Sequence, residues 1–214
     1  MRSYIGKSDV AVLILTGLGG SEDGYNGKYV DIATKLKDNH GASVFVFSTP
    51  SGAWEKGEDF LRSCLLDVDK LMKLNGKKDY IVYAMGSSAG ASILASYSYK
   101  FPKIKKVLAL NPVIHFLYNK LQKGLECSTA VTKVFVGEND QSMPYFSLIS
   151  KINRENLEVA TLPNVDHVFS GEQSFNLFLK LPEKIFFENW LFQSNFCKSI
   201  CLTKNWKNDN IMAR

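Results

Sequence analysis

Short apolar runs rich in β-branched residues alternate with longer amphipathic segments, and this alternation constrains the fold more than any other feature. Six runs predict strands over residues 10–17, 42–48, 80–85, 106–112, 132–140 and 157–163. The first, VAVLILTG, is a continuous apolar run that is typical of a strand buried on both faces. Strands that alternate with helices form a mostly parallel sheet with helices on both faces. The sequence therefore predicts an α/β fold with about six strands.

Helical patterns fill the segments between the predicted strands. Apolar residues over 58–76 repeat near every 3.6 positions, and Gly76 stands where that helix should end. An earlier helix is predicted over Lys28–Asn39, with Gly41 as its left-handed terminator. Because no repeat or Gly/Ser/Pro-rich linker divides the chain, we predict a single domain over residues 1–214, with a frayed tail from about residue 197.

Composition excludes several classes of function. The net charge of +5 comes mostly from lysines spread along the 214 residues, without the arginine clusters of a nucleic-acid face, so we expect no nucleic-acid partner. The N-terminus lacks an apolar signal region, and no apolar run approaches the ~20 residues of a membrane span. Four cysteines form no CxxC pair, which argues against a zinc site. A cytoplasmic protein with free thiols is expected.

The segment GSSAG, residues 86–90, lies between a predicted strand and a predicted helix. In parallel α/β sheets, ligands bind beyond the carboxyl ends of the strands, which is where this segment falls. G-x-S-x-G in this setting makes a sharp turn, and small residues at Gly86 and Gly90 let strand and helix approach closely. The central Ser88 then projects its hydroxyl above a helix N-terminus, so we predict Ser88 as a nucleophile and Ser87 as the variable position.

A serine hydroxyl needs a base, and the chain has three histidines. His40 falls at a helix end, where we expect it to contact terminal carbonyls or water, and His115 is expected to pack in a crossover. His167 follows the last predicted strand directly, which puts it at the same edge of the sheet as Ser88. His167 is therefore the predicted base.

The base needs a carboxylate that fixes its tautomer. Asp140 lies in the loop after the penultimate strand, and we favour it. Glu138 and Asp166 remain alternatives, although Glu138 sits close to the strand end and Asp166 is adjacent to His167. The resulting order of nucleophile, acid and base is the one found in folds that carry the G-x-S-x-G turn.

The glycine-rich segment TGLGGSEDGYNG, residues 16–27, follows the first strand. We predict two backbone N–H groups as donors to the oxyanion of an acyl-transfer intermediate. One is that of Leu18 in this segment, and the other is that of Ala89, the residue after the nucleophile. A phosphate-binding G-x-G-x-x-G loop is the alternative. That pattern requires a glycine where Glu22 stands, and the acidic side chain disfavours phosphate.

Four markers, TGLGG, GSSAG, GEND and DHVF, occur in order, and with them residues 10–195 resemble the α/β-hydrolase superfamily. The resemblance implies a sheet of eight strands at full size, a triad of Ser88, Asp140 and His167, and no metal or organic cofactor. Thr16 stands where many members have histidine. Only nine residues precede the first predicted strand, so we expect the two leading antiparallel strands to be missing and six strands to remain.

Only about twenty residues separate LALNP from TKVFVG, where many members of the superfamily carry a lid. An open site argues against long-chain lipids as obligate substrates. We therefore expect a serine hydrolase that cleaves an ester or thioester of a small or medium acyl substrate through an acyl-enzyme. Tyr25, Trp54 and Phe169 are predicted to line the pocket. A biosynthetic acyltransferase, a small serine peptidase and a non-catalytic binding protein are the alternatives, and the oligomeric state is left open.

Overall fold

The computed structural model of the protein describes residues 1–53 and 55–188. Its centre is a seven-stranded sheet. The strands run in the order β1-β3-β2-β4-β5-β6-β7, and all neighbours are parallel except β1, which is antiparallel to β3. Their bounds are β1 Arg2–Tyr4, β2 Val10–Leu18, β3 Ser43–Thr49, β4 Ile81–Ser87, β5 Ile104–Leu110, β6 Val131–Asn139 and β7 Leu157–Asp166. The predicted α/β class with a mostly parallel sheet is confirmed. The predicted tail from residue 197 lies outside the described residues.

The seventh strand, β1, corrects the expectation that both leading antiparallel strands are missing. Arg2, Ser3 and Tyr4 pair with Val46, Phe45 and Val44 at the edge of the sheet. Three residues are too few to show the alternation of period two that identifies a strand in a sequence. The segment is extended because the open edge of β3 offers backbone partners, and only the folded sheet creates that edge.

The described residues form six α-helices that cover the sheet: α1 Lys28–His40, α2 Gly57–Leu74, α3 Ala89–Tyr97, α4 Ile114–Cys127, α5 Phe146–Ile149 and α6 Glu172–Phe187. Gly41 and Gly76, the predicted terminators, both adopt positive φ angles, at 65° and 77°. Within the ranges described, no helix combines the length and the apolar character that crossing a membrane demands.

Strand β2 shows how the sheet is buried on both faces. Val12 and Ile14 pack in the same cluster as side chains of α1 and α6, while Ala11, Leu13 and Leu15 pack with side chains of α2 and α3 on the other face. All five are fully buried. Each large side chain in such a position contributes about 1.5–3 kcal/mol relative to exposure, so the central strands are held rigidly in register.

Helix α6, which follows the last strand, is joined to α1 by a cluster around Glu183. Its carboxylate lies 2.9 Å from His40 Nε2 and 2.6 Å from Lys35 Nζ, and it accepts a hydrogen bond from Asn39. Burial raises the pKa of Glu183, but hydrogen bonds from these three residues outweigh it and lower the pKa to about 2. The expectation that His40 contacts terminal carbonyls or water is therefore wrong, because a carboxylate 143 residues away reaches its ring.

The carboxyl ends of the parallel strands meet at one side of the sheet, which we call the carboxyl edge: the loops after β2, β3, β4, β5, β6 and β7. The segment between β5 and β6 forms α4, whose Leu121 and Leu125 are buried against α3 and the sheet. This segment is thus a layer of the core. His115, in the first turn of α4, is exposed and stacks on Tyr145 with ring centroids 5.2 Å apart.

Candidate active site

Ser88 occupies the turn between β4 and α3 with φ 53° and ψ −115°. A positive φ is costly for a residue with a side chain and persists only where the surroundings impose it. Here the Ser88 N–H donates to the Leu110 carbonyl at 2.9 Å, and the Ser88 carbonyl accepts the N–H and the hydroxyl of Ser92 at 3.0 and 3.1 Å. The Ser88 hydroxyl makes no capping bond to α3, so it is available to another group.

The glycines that flank Ser88 are required by close backbone approach. A Cβ on Gly86 would lie 2.5 Å from the backbone nitrogen of Ala91, and one on Gly90 would lie 2.4 Å from the carbonyl oxygen of Leu15. Contacts this short are not tolerated, so any side chain at either position displaces helix α3 from the sheet. The close approach of strand and helix that the GSSAG pattern predicts is therefore present in the structure.

The two adjacent serines differ in their partners. Ser87 is buried beside the Tyr29 hydroxyl, whose pKa is raised by burial. Ser88 is only half-buried, and its Oγ lies 2.9 Å from His167 Nε2. Of the two hydroxyls, the one at Ser88 therefore faces the imidazole of His167.

His167 bridges Ser88 and Asp140. Its Nδ1 lies 2.5 Å from Asp140 Oδ2, and the Asp140 side chain is fully buried whereas the imidazole is about one quarter exposed. Because an ionised carboxylate only accepts hydrogen bonds, Nδ1–H donates to Asp140 and the Nε2 lone pair accepts the Ser88 hydroxyl. The three side chains lie 79 and 27 residues apart in sequence and form one hydrogen-bonded chain.

Asp140 is held in place by its own loop. Its Oδ1 accepts the Ser142 N–H at 2.6 Å, which leaves Oδ2 for His167. The two alternative acids have other partners: Glu138 is exposed and accepts the Asn164 N–H at 3.3 Å, and Asp166 accepts the Ser170 N–H at 2.8 Å. Hydrogen bonds from Ser170 lower the pKa of Asp166. The geometry therefore favours Asp140.

The loop after β2 lies beside Ser88. A Cβ on Gly17 would lie 3.5 Å from Ser88 Cβ. The buried Thr16 shapes this loop, since its hydroxyl lies 3.1 Å from the Gly20 carbonyl and accepts the N–H of Thr49 at 3.1 Å. Gly19 N–H also donates to the Thr49 carbonyl at 2.8 Å, so β3 fixes the loop. Thr16 therefore stabilises this loop, at the position where many α/β-hydrolases have histidine.

The predicted oxyanion donors flank this junction. Ala89 is the first residue of α3, where helical N–H groups have no partner within the helix and the helix dipole favours negative charge. Leu18 ends β2, and its side chain is 47% exposed. Their roles as donors stay predictions.

Of the three predicted pocket residues, the structure describes two, and these two differ in burial. Tyr25 is 76% exposed in a single 3-10 turn, and Trp54 lies outside the described residues. Phe169 is 2% exposed and packs edge-on against Phe178, with centroids 5.0 Å apart. A positive φ of 60° at Phe169 accompanies the inward position of its ring, while neighbouring Val168 is exposed. Pocket lining by Phe169 is a prediction that these contacts do not support.

Sequence reasoning did not single out two buried polar residues next to the site, Ser92 and Asn111. Ser92 Oγ accepts the Val113 N–H at 2.8 Å and so ties α3 to the loop after β5. Asn111 follows β5 directly and is fully buried. A polar residue in an otherwise apolar segment was the available signal. In residues 1–53 and 55–188, no three His, Cys, Asp or Glu side chains are grouped so that they can hold a metal ion.

Comparison with known proteins gives structural likeness alone. No protein-family model matches the chain, and no curated protein matches it in sequence. Est1E from Butyrivibrio proteoclasticus is 15% identical with a TM-score of 0.61, covering 81% of this chain and 87% of its own. A monoacylglycerol lipase from Paleococcus ferrophilus is 13% identical with a TM-score of 0.62, covering 85% and 95%. An alpha-beta serine hydrolase homologue from Coxiella burnetii is 18% identical with a TM-score of 0.61, covering 82% and 86%.

Proposed function

We propose that this chain, which has the α/β-hydrolase fold, is a serine hydrolase that cleaves an ester or thioester through an acyl-enzyme. The observation that carries the proposal is the hydrogen-bonded chain from Ser88 Oγ through His167 to Asp140 at the carboxyl edge. A nucleophile within 2.9 Å of a base that is oriented by a buried carboxylate is the arrangement that acyl transfer requires.

In the first half-reaction, His167 Nε2 takes the proton from the Ser88 hydroxyl while Oγ attacks the substrate carbonyl carbon. The N–H groups of Ala89 and Leu18 stabilise the negative charge that develops on the carbonyl oxygen. Asp140 stabilises the imidazolium of His167. That imidazolium then gives its proton to the departing alcohol or thiol as the bond to the leaving group breaks, and an acyl-Ser88 ester remains.

In the second half-reaction, the neutral His167 removes a proton from a water molecule as the water oxygen attacks the acyl-Ser88 carbonyl. The second tetrahedral intermediate uses the same two N–H groups. Its collapse returns the proton from His167 to Ser88 Oγ and releases the carboxylic acid. The reaction needs a small-molecule acyl substrate and water. A cytoplasmic location and the lack of a nucleic-acid partner stay predictions from composition.

Exposed apolar side chains around the carboxyl edge support an apolar group on the substrate. Nine large hydrophobic side chains are exposed among the described residues, and two of them stand at strand ends that carry the site: Leu18 at the end of β2 and Val168 directly after β7. Val168 is directly adjacent to His167. Exposed apolar side chains next to a site residue indicate a place for apolar ligand atoms.

We expect the acyl chain to affect the rate of hydrolysis accordingly. Each methylene that leaves water contributes about 0.8 kcal/mol, so kcat/KM should rise by up to about fourfold per added methylene between p-nitrophenyl acetate and butyrate. The increase should end at medium chains, and palmitate should be a poor substrate because the site is open. Steady-state kinetics on the ester series, with the matching acyl thioesters beside it, provides the test. A rate that is independent of chain length contradicts an apolar acyl site.

The proposal as a whole is tested with a fluorophosphonate probe, which labels an activated serine covalently. We expect one adduct per chain, and peptide mass spectrometry with fragmentation should put it on Ser88 rather than on the adjacent Ser87. Heat-denatured protein is the control and should not be labelled. Folded protein that takes up no probe and hydrolyses no ester would instead favour a binding protein on this fold.

A further inference from the structure

We infer that Asn111 is a positioning residue that holds the loops of the acid and the base in register, an inference that rests on the proposed function. Asn111 immediately follows β5 and contacts neither Ser88 nor the carboxylate of Asp140 through any of its hydrogen bonds. Its side chain lies instead between the end of β6, which leads to Asp140, and the end of β7, which leads to His167.

The Asn111 amide makes three hydrogen bonds in a fully buried position. Its Nδ2 donates to the carbonyl oxygens of Asp166 at 2.9 Å and of His167 at 3.0 Å, while its Oδ1 accepts the Gly137 N–H at 2.8 Å. The backbone carbonyl of His167, the predicted base, therefore accepts a hydrogen bond directly from Asn111. Gly137 in turn accepts the Asp140 N–H at 3.0 Å, which links the same amide to the loop of the predicted acid.

These bonds replace strand pairing where the sheet ladder stops. Pairing of β5 with β6 ends at Leu110 and Phe135, two residues before Gly137. Pairing of β6 with β7 becomes irregular between Gly137 and Asn139. Buried backbone groups left without a partner at such a point are costly. The amide of Asn111 supplies partners to both strands at the place where the two site loops begin.

The backbone conformation and the hydrogen-bond partners at position 111 explain why the residue there is asparagine. Asn111 has a φ of 49°, a left-handed conformation that asparagine tolerates better than most residues. Its side chain must donate to two carbonyls and accept from one N–H, and an amide does both whereas a carboxylate or an aliphatic side chain does not. Asparagine therefore satisfies both the backbone conformation and the hydrogen bonds.

Two variants test the inference. Asn111→Asp keeps the shape and the acceptor but presents a carboxylate to two carbonyl oxygens, and Asn111→Gly keeps the left-handed conformation but deletes the amide. Because misplacement of a catalytic group by about 1 Å costs about 100-fold in rate, we expect kcat to fall by about 10- to 100-fold in both, with KM within about threefold. The rate of fluorophosphonate labelling should fall in parallel. Asn164→Gly is the matched control, since Asn164 is an exposed left-handed asparagine, and it should keep wild-type kcat.

A double-mutant cycle separates positioning from a general structural effect. If Asn111 acts through His167, adding Asn111→Gly to His167→Ala should lower the residual activity by less than about threefold. Full additivity, a kcat within threefold of wild type in both folded single variants, or failure of both variants to fold would overturn the inference. Failure of the proposed function is distinguishable, because then the wild-type protein itself neither hydrolyses esters nor reacts with the probe.

Discussion

Replacing Ser88 with alanine should lower kcat for ester hydrolysis by at least about 10⁴-fold, because the substitution removes the hydroxyl of the proposed nucleophile. The fold should remain intact. The Ser88 hydroxyl makes no capping bond to α3, and its bond to His167 is at the half-exposed site, so its loss leaves no buried backbone group unpaired. Alanine must still adopt the positive φ, which serine already tolerates there.

Ser87→Ala is the matched control for Ser88→Ala. It removes a hydroxyl from the adjacent residue, and the neighbouring polar group is the buried Tyr29 hydroxyl rather than the imidazole. We expect kcat within about threefold of wild type and a loss of about 1 kcal/mol in the free energy of unfolding. The test compares the initial rates at which wild type and the two variants hydrolyse p-nitrophenyl butyrate. The protein concentrations are equal, and mass spectrometry verifies each variant. Residual activity of Ser88→Ala above about 1% of wild type contradicts the assignment of the nucleophile.

Gly90→Ala should lower the free energy of unfolding by at least about 3 kcal/mol, although it adds only one methyl group. That methyl would lie 2.4 Å from the Leu15 carbonyl oxygen and 2.6 Å from the Thr16 carbonyl oxygen. Both atoms belong to the backbone of β2, the central strand that is buried on both faces, so neither can move aside cheaply. Helix α3 has to lift away from the sheet, and Ser88 moves with it.

Urea denaturation followed by circular dichroism measures this loss, and Gly17→Ala serves as the control for stability. A methyl on Gly17 meets its nearest heavy atom, Ser88 Cβ, at an ordinary 3.5 Å, so the free energy of unfolding should stay within about 1 kcal/mol of wild type. Equal denaturation midpoints for Gly90→Ala and wild type would show that the turn does not need its second glycine.

Local steric requirements made the turn at residues 86–90 predictable from the sequence. Gly86 and Gly90 must be small wherever a strand meets a helix this closely, so their spacing signals the position of Ser88. The rule that ligands bind at strand ends then led to His167 and Asp140, which the folded chain brings within hydrogen-bonding distance. Their catalytic roles still require the experiments proposed above.

Features that depend on tertiary partners were not predictable in this way. His40 was assigned contacts near its own helix end, but Glu183 reaches it from the last described helix. The aromatic character of Phe169 suggested a pocket, yet the loop after β7 turns its ring into the core. Strand β1 and Asn111 were missed because the groups that pair with them, at the β3 edge and at the ends of β6 and β7, are adjacent only after the sheet has formed.

The placement of α4 and the exposure of His167 have a consequence for the fate of the proposed acyl-enzyme. Helix α4 contributes Ile114, Leu121 and Leu125 to the core, and about a quarter of the His167 side chain is exposed to solvent. Water is by far the most abundant nucleophile in any aqueous compartment. The proposed acyl-enzyme would therefore be accessible to water, whose attack releases the free acid.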